Sequence, residues 1–187
     1  MNLLLCLTGS VATIKLSELI ALLEKSIENL SIKLVATQKS RHFLDEEDEV
    51  LKKWELFTDE DEWKSWAKRG DPVRHIELRD WAEVVLIAPL GANSLAKIAN
   101  GLCDNLLTCI IRACSPGKKT VVFCPAMNCG MLDHPLTRDH LRVLVEVLGF
   151  RCVPSISKTL ICGESGQGAM AEIETIVQIV YEINRNL

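Results

Sequence analysis

No run of apolar residues in this chain approaches the ~18 needed for a helix to cross a bilayer, which argues against a membrane-spanning protein. Basic charge is also in short supply. Lysine and arginine are outnumbered by aspartate and glutamate, 21 to 25, for a net charge of −4. That balance gives no electrostatic reason to expect nucleic acid or an anionic membrane as a partner. The eight cysteines include no Cys-x-x-Cys pair and no Cys/His ligand spacing, so no metal site is expected. Gly-x-Gly-x-x-Gly and Walker A sequences are both missing, which counts against a dinucleotide fingerprint and a nucleoside triphosphatase. The opening stretch Met1 to Leu7 lacks the basic start of a signal peptide and runs straight into glycine and hydroxyl residues, as after a buried strand. A soluble, cytoplasmic protein is expected, with strand cysteines such as Cys6 and Cys124 serving as small buried hydrophobes in a reducing compartment.

What is present suits one globular domain spanning residues 1–187: 48% of the chain is hydrophobic and 25% charged. Short apolar runs alternate with amphipathic stretches. Residues 3–8 read as a strand, and Leu16, Leu19, Ile20, Leu23 and Ile27 recur at helical spacing. Further strands are predicted at Ile32–Ala36, Val84–Pro89, Thr120–Cys124 and near Arg151–Val153. Helices are predicted over 92–99, 104–113, 136–148 and 172–184. Strand, turn, helix, strand is the unit of a parallel sheet, and Val84–Pro89 is apolar throughout, as for a strand covered on both faces. The expected fold is a doubly wound, Rossmann- or flavodoxin-like α/β sheet with helices on both faces and no internal repeat. Residues 45–62 interrupt the rhythm with two acidic runs, and Trp54, Trp63 and Trp66 lie in or beside them. They read as a solvated connection whose aromatics pack on the domain or on a neighbouring subunit, with a partner-binding acidic patch as the alternative.

In open parallel sheets ligands bind beyond the carboxyl ends of the strands. Four loops fall there: Gly9-Ser10-Val11, Thr37-Gln38-Lys39-Ser40, Pro89-Leu90-Gly91-Ala92-Asn93-Ser94 and Pro125-Ala126-Met127-Asn128. Ser10, Ser40 and Asn93 are each good helix caps, and any one loop alone reads as a cap. Four at one sheet edge, offering hydroxyls and helix-start N–H groups, favour a phosphate-bearing mononucleotide. Three further residues look chemical. His75 lies just before a helical turn, Asn128 follows a strand-end turn and is as plausible a cap as a carboxylate binder, and Cys162 opens a glycine-rich stretch where a thiol would be accessible.

Several motifs then occur in one order along the chain: Thr8-Gly9-Ser10-Val11-Ala12, Pro72 to Trp81 with His75-Ile76-Glu77-Leu78-Arg79, Ala88-Pro89-Leu90 through Asn93, Gly101 to Thr108, Pro125-Ala126-Met127-Asn128 with Met131, and Cys162-Gly163 through Glu172. On these the chain resembles the homo-oligomeric flavin-containing cysteine decarboxylases. The resemblance implies flavin mononucleotide (FMN) held by Gly9, Ser10, Val11, Thr37, Ser40, Gly91, Ala92, Asn93, Ser94 and Ala126. It implies His75 and Cys162 as catalytic residues, with Asn128, Met131, Arg79, Gly163 and Gly166 contacting substrate. It further implies a homotrimer with FMN at the subunit interface. The implied substrate is phosphopantothenoylcysteine of coenzyme A synthesis: oxidation of its thiol carbon creates a C=S that absorbs the electron pair left by CO2, and the resulting enethiol is then reduced. Two positions depart from the family pattern, Leu132 where tryptophan is usual and Asp80 where a second arginine is common. A non-catalytic regulatory homologue that inhibits a phosphatase, and a decarboxylase of C-terminal cysteines in peptides, are the alternatives. A flavin prenyltransferase shares the fold without the His75 and Cys162 motifs.

Overall fold

The computed structural model describes residues 1–45, 47–159 and 165–187. From the N-terminus, strand β1 (Asn2–Leu7) passes through a 3-10 turn, Val11–Lys15, into helix α1 (Leu16–Ser26). Strand β2 (Ser31–Ala36) and a second 3-10 turn, Ser40–Phe43, precede α2 (Glu49–Lys52), β3 (Glu55–Phe57), α3 (Asp59–Lys64) and α4 (Arg74–Trp81). Next come β4 (Val84–Leu90), α5 (Ala92–Ala99), α6 (Leu106–Ala113) and β5 (Thr120–Pro125). The short α7 (Cys129–Leu132) and α8 (Pro135–Arg142), which runs on into a π turn, lead to β6 (Arg151–Cys152). A hairpin of β7 (Ile156–Thr159) and β8 (Ser165–Ala169) and the closing helix α9 (Ile173–Asn184) complete the described chain.

Six strands form one sheet in the order β3-β2-β1-β4-β5-β6, with parallel pairing throughout. The chain winds outward from β1 in one direction and from β4 in the other. The connections leaving these two central strands therefore diverge, and a crevice opens between them. Alternation along β1 explains the two-sided burial. Leu3, Leu5 and Leu7 pack with α1 and α9, while Leu4 and Cys6 face a second core built with α4, α5 and α6. Parallel strands covered on both faces have no polar side, hence the unbroken apolar runs. Among the described residues no helix is long and apolar enough to cross a membrane.

The segment 45–62 is more than a connection. Glu55-Leu56-Phe57 adds β3 beside β2, and Phe57 is buried. Three residues with one buried side chain leave too little periodicity to be read as a strand. Helices α2 and α3 flank it. Trp54 packs against the domain, whereas Trp63 and Trp66 are 80% and 54% exposed. The predicted helix over 136–148 is likewise two pieces, α8 and the π turn Val143–Val147.

Phe123 in β5 is fully buried in the second core, among the largest side chains with no exposure. Phe123→Ala is expected to destabilise the protein by about 3–5 kcal/mol, the cost of lost burial plus an unfilled cavity, read from chemical denaturation. A loss under about 1 kcal/mol would show that this core can close over the gap.

Candidate functional site

The crevice is set by one side chain. Thr8 follows β1 and is 1% exposed. Its hydroxyl donates to the Pro89 carbonyl at 2.9 Å and accepts from the Gly91 N–H at 2.8 Å, tying the end of β1 to the end of β4. Its own carbonyl accepts from the Ser10 N–H at 2.7 Å and from the Thr13 hydroxyl at 3.0 Å, which folds the first loop back on itself. Gly9 sits against the second loop: a Cβ there would lie 2.7 Å from the Lys39 Cβ, so nothing larger than hydrogen fits without moving the loop.

These loops wall a cleft of about 680 Å³ at the carboxyl edge of β1, β2, β4 and β5. Gly9, Ser10, Val11, Thr37, Gly91, Ala92, Asn93, Ser94, Ala126 and Met131 all line it. Helix α5 begins at the cleft, and no side chain caps its first turn. The amide of Asn93 and the hydroxyl of Ser94 make no hydrogen bond among the described residues, so these groups and the helix-start N–H donors are left for a ligand. Val11, Phe43, Met127 and Met131 supply apolar wall, and Lys39 places a cation at the rim. Lys97 at the rim is paired with Asp104.

Ser40 is not part of the wall. It is fully buried, donates to the Thr37 carbonyl at 2.7 Å and accepts from the Thr37 hydroxyl at 3.3 Å, so it shapes the second loop from behind. Asn128 caps α7, its side-chain oxygen accepting from the Met131 N–H at 2.8 Å. Gly166 lies in β8 beside α7, where a Cβ would stand 2.7 Å from the Cys129 Sγ. Two residues on, Gly168 has φ +143°, and a Cβ there would meet the Met127 carbonyl at 2.3 Å. The hairpin is thus seated on the Met127–Cys129 turn by glycines. Cys162 and Gly163 lie outside the described residues.

His75 and Arg79 are on α4, away from the cleft wall. Arg79 ion-pairs with Asp80 at 2.7 Å and donates to the Ala113 carbonyl at 3.3 Å, closing the end of α6. The departure at Asp80 therefore engages the neighbouring arginine directly. His75 is held from α3: the Glu62 Oε2 accepts its backbone N–H at 3.0 Å, and Oε1 lies 2.5 Å from its Nδ1. Burial pushes the Cys109 and Cys152 thiols up to about 11, and Cys6, Cys114 and Cys124 are raised by the same cause. Such thiols stay protonated near neutral pH and are poor nucleophiles.

Residues 1–185 match the family model described as Flavoprotein. The chain belongs to the flavoprotein family. It is 47% identical to the mouse phosphopantothenoylcysteine decarboxylase over 94% of this chain and 83% of that protein. It is 51% identical to an Arabidopsis thaliana phosphopantothenoylcysteine decarboxylase over 95% and 82%. Among solved structures, a cysteine-to-serine mutant of PPC decarboxylase complexed with pantothenoylaminoethenethiol superimposes with TM-score 0.90 at 47% identity, covering 98% of each chain. The peptidyl-cysteine decarboxylase of epidermin synthesis shares only the fold, at 24% identity and TM-score 0.74.

The cleft of this flavoprotein fits such a group. A flavin combines an apolar ring system, a polar ring edge and, as a nucleotide, a phosphate. The wall offers apolar side chains, unpartnered amide and hydroxyl groups and uncapped helix N–H donors. Thr8, Lys39, Phe43 and Met127 were not singled out by sequence as ligands. Thr8 opens a motif and Lys39 stands in a named loop, but neither position revealed that its side chain reaches the cleft. Gly9→Ala is expected to force the first two loops apart and lower the flavin content of purified protein at least about tenfold while leaving the fold intact. Full flavin occupancy in that variant would show that the two loops have slack.

Proposed function

We propose that this chain is an FMN-dependent decarboxylase that converts 4'-phosphopantothenoylcysteine to 4'-phosphopantetheine in coenzyme A synthesis. The observation that carries the reading is the match over nearly the whole chain to a solved decarboxylase holding pantothenoylaminoethenethiol. When bound, FMN supplies reversible two-electron oxidation of the substrate's thiol carbon, so that the electron pair released with CO2 has a C=S to enter.

The protein's part is to bind, orient and move protons. The α5 start with Asn93 and Ser94, the loops at Gly9–Val11 and Thr37, and Gly91, Ala92 and Ala126 hold the cofactor, with Ser40 bracing the Thr37 loop from behind. Asn128, Met131 and Gly166, together with Gly163, contact the substrate, and the hairpin seated on the Met127–Cys129 turn closes over it and excludes water. His75 assists oxidation or decarboxylation, and Cys162 supplies the proton taken up when the enethiol is reduced. The protein works as a cytosolic homotrimer with FMN at the subunit interface, His75 serving a flavin held mainly by its neighbour. Two features support that arrangement: His75 stands outside its own cleft wall, and Trp63 and Trp66, close to the Glu62 that grips it, are exposed apolar surface of the kind interfaces cover.

Anaerobic incubation of phosphopantothenoylcysteine with the yellow protein, followed by mass spectrometry, is expected to show loss of one CO2 and no net oxidation. His75→Asn should keep its FMN and lose turnover by roughly a hundredfold or more. Unchanged substrate with FMN bound to the native protein would overturn the reading in favour of a binding or regulatory role.

A further inference from the structure

We propose that Glu62 is the positioning residue of His75, fixing its ring through Nδ1 and leaving Nε2 as the nitrogen that exchanges a proton with the reacting substrate. The inference rests on the reading of His75 as a catalytic residue.

The acidic run that opens α3 has four carboxylates with four different partners. Asp59 accepts from the Leu106 N–H at the start of α6 at 2.9 Å, and Asp61 accepts from the Thr58 hydroxyl and N–H, each at 2.7 Å, capping its own helix. Glu60 pairs along the surface with Lys64 at 3.0 Å. Glu62 alone turns to α4, and its side chain is 13% exposed against 25% for His75. Both of its oxygens are used on one residue, the backbone N–H at 3.0 Å and the ring at 2.5 Å.

The bland role is capping. His75 lies in the first turn of α4, Val73 provides no side-chain cap, and an orphan N–H there needs an acceptor. One oxygen satisfies that need. The second goes to the ring, and an ionised carboxylate has acceptors only, so Nδ1 carries its proton. The Nε2 makes no hydrogen bond among the described residues. A carboxylate on one imidazole nitrogen fixes the tautomer and aims the other, as in carboxylate–histidine pairs generally. The surroundings leave Glu62 as the group in contact: Arg74 is engaged with Glu77 at 3.0 Å, and the Cys109 thiol of the facing α6 is held near 11 by burial and by Cys103, Glu62, Asp104 and Asp59. Asp59 and Asp104 of that cluster line the cleft, whereas Glu62 and His75 stand outside its wall.

Nitrogen-15 spectra of the ring in the native holoenzyme, at a pH where His75 is neutral, test this directly. The Nδ1–H tautomer is expected, and the Nε2–H tautomer would overturn the proposal whatever the variants do. Glu62→Gln, whose one amide oxygen cannot serve both donors, should keep FMN, lower kcat at least about tenfold with KM within about twofold, and mix the tautomers. Glu60→Gln, on the same helix, should match the native enzyme. A Glu62→Gln enzyme with native kcat and native ring signals would remove Glu62 from the mechanism. If His75→Asn retains turnover, the reading of His75 fails instead. If His75→Asn is inactive and Glu62→Gln is not, only the positioning role fails.

Discussion

The hydroxyl of Thr8 holds the site together. A parallel sheet with its turning point between β1 and β4 sends consecutive connections in opposite directions, which opens a crevice but does nothing to fix its width. Thr8 fixes it by satisfying one acceptor on Pro89 and one donor on Gly91, both beyond the reach of the sheet's own ladder. These bonds are buried, so an unmet partner on either side would cost about 1–3 kcal/mol. With the first and third loops locked, the α5 start presents its uncapped N–H groups at a defined distance from Gly9 and Ser10. Ser40 does the same for the second loop by folding it onto Thr37.

The acidic segment supplies the second constraint. As a string of like charges it reads as solvent-facing chain. In the folded protein Asp59 anchors the start of α6, Asp61 caps α3 and Glu62 grips α4. Helix α3 is therefore a strut between the wall of the cleft and the element that carries His75. The run is short enough that each carboxylate finds its own donor, so repulsion among them is offset locally.

Much of the architecture was legible because burial on both faces forces continuous apolar strands, as in β1, β4 and β5, while β2 is apolar but for Ser31 and Lys33. The strand-end loops were legible because four of them, rich in hydroxyl and glycine residues, fall at one sheet edge, although each alone reads as a cap. Ten of the expected site residues line one cleft, from Gly9 in the first loop to Met131 in α7. What could not be read were contacts between distant segments. Strand β3 has a single buried side chain to announce it, Phe57. Ser40 looks like a ligand by type and is a brace by position. Asn128 is equally a cap or a carboxylate binder by type, and within the chain its oxygen caps α7. The Glu62–His75 contact spans thirteen residues and two helices, and no local pattern encodes it. Arg79 was assigned to substrate from resemblance, while in this chain its guanidinium is taken up by Asp80 and the end of α6.

The affinity of apoprotein carrying Thr8→Val for FMN, followed by flavin fluorescence, tests most directly whether the Thr8 hydroxyl sets the cleft. Valine keeps the shape of threonine and puts a methyl in place of the hydroxyl, so the sheet should fold while the first and third loops lose their tie. At least a roughly tenfold weaker Kd is expected, with circular dichroism unchanged, from the loss of two buried hydrogen bonds. FMN binding at native affinity would contradict it and mean that the sheet alone sets the geometry of the cleft.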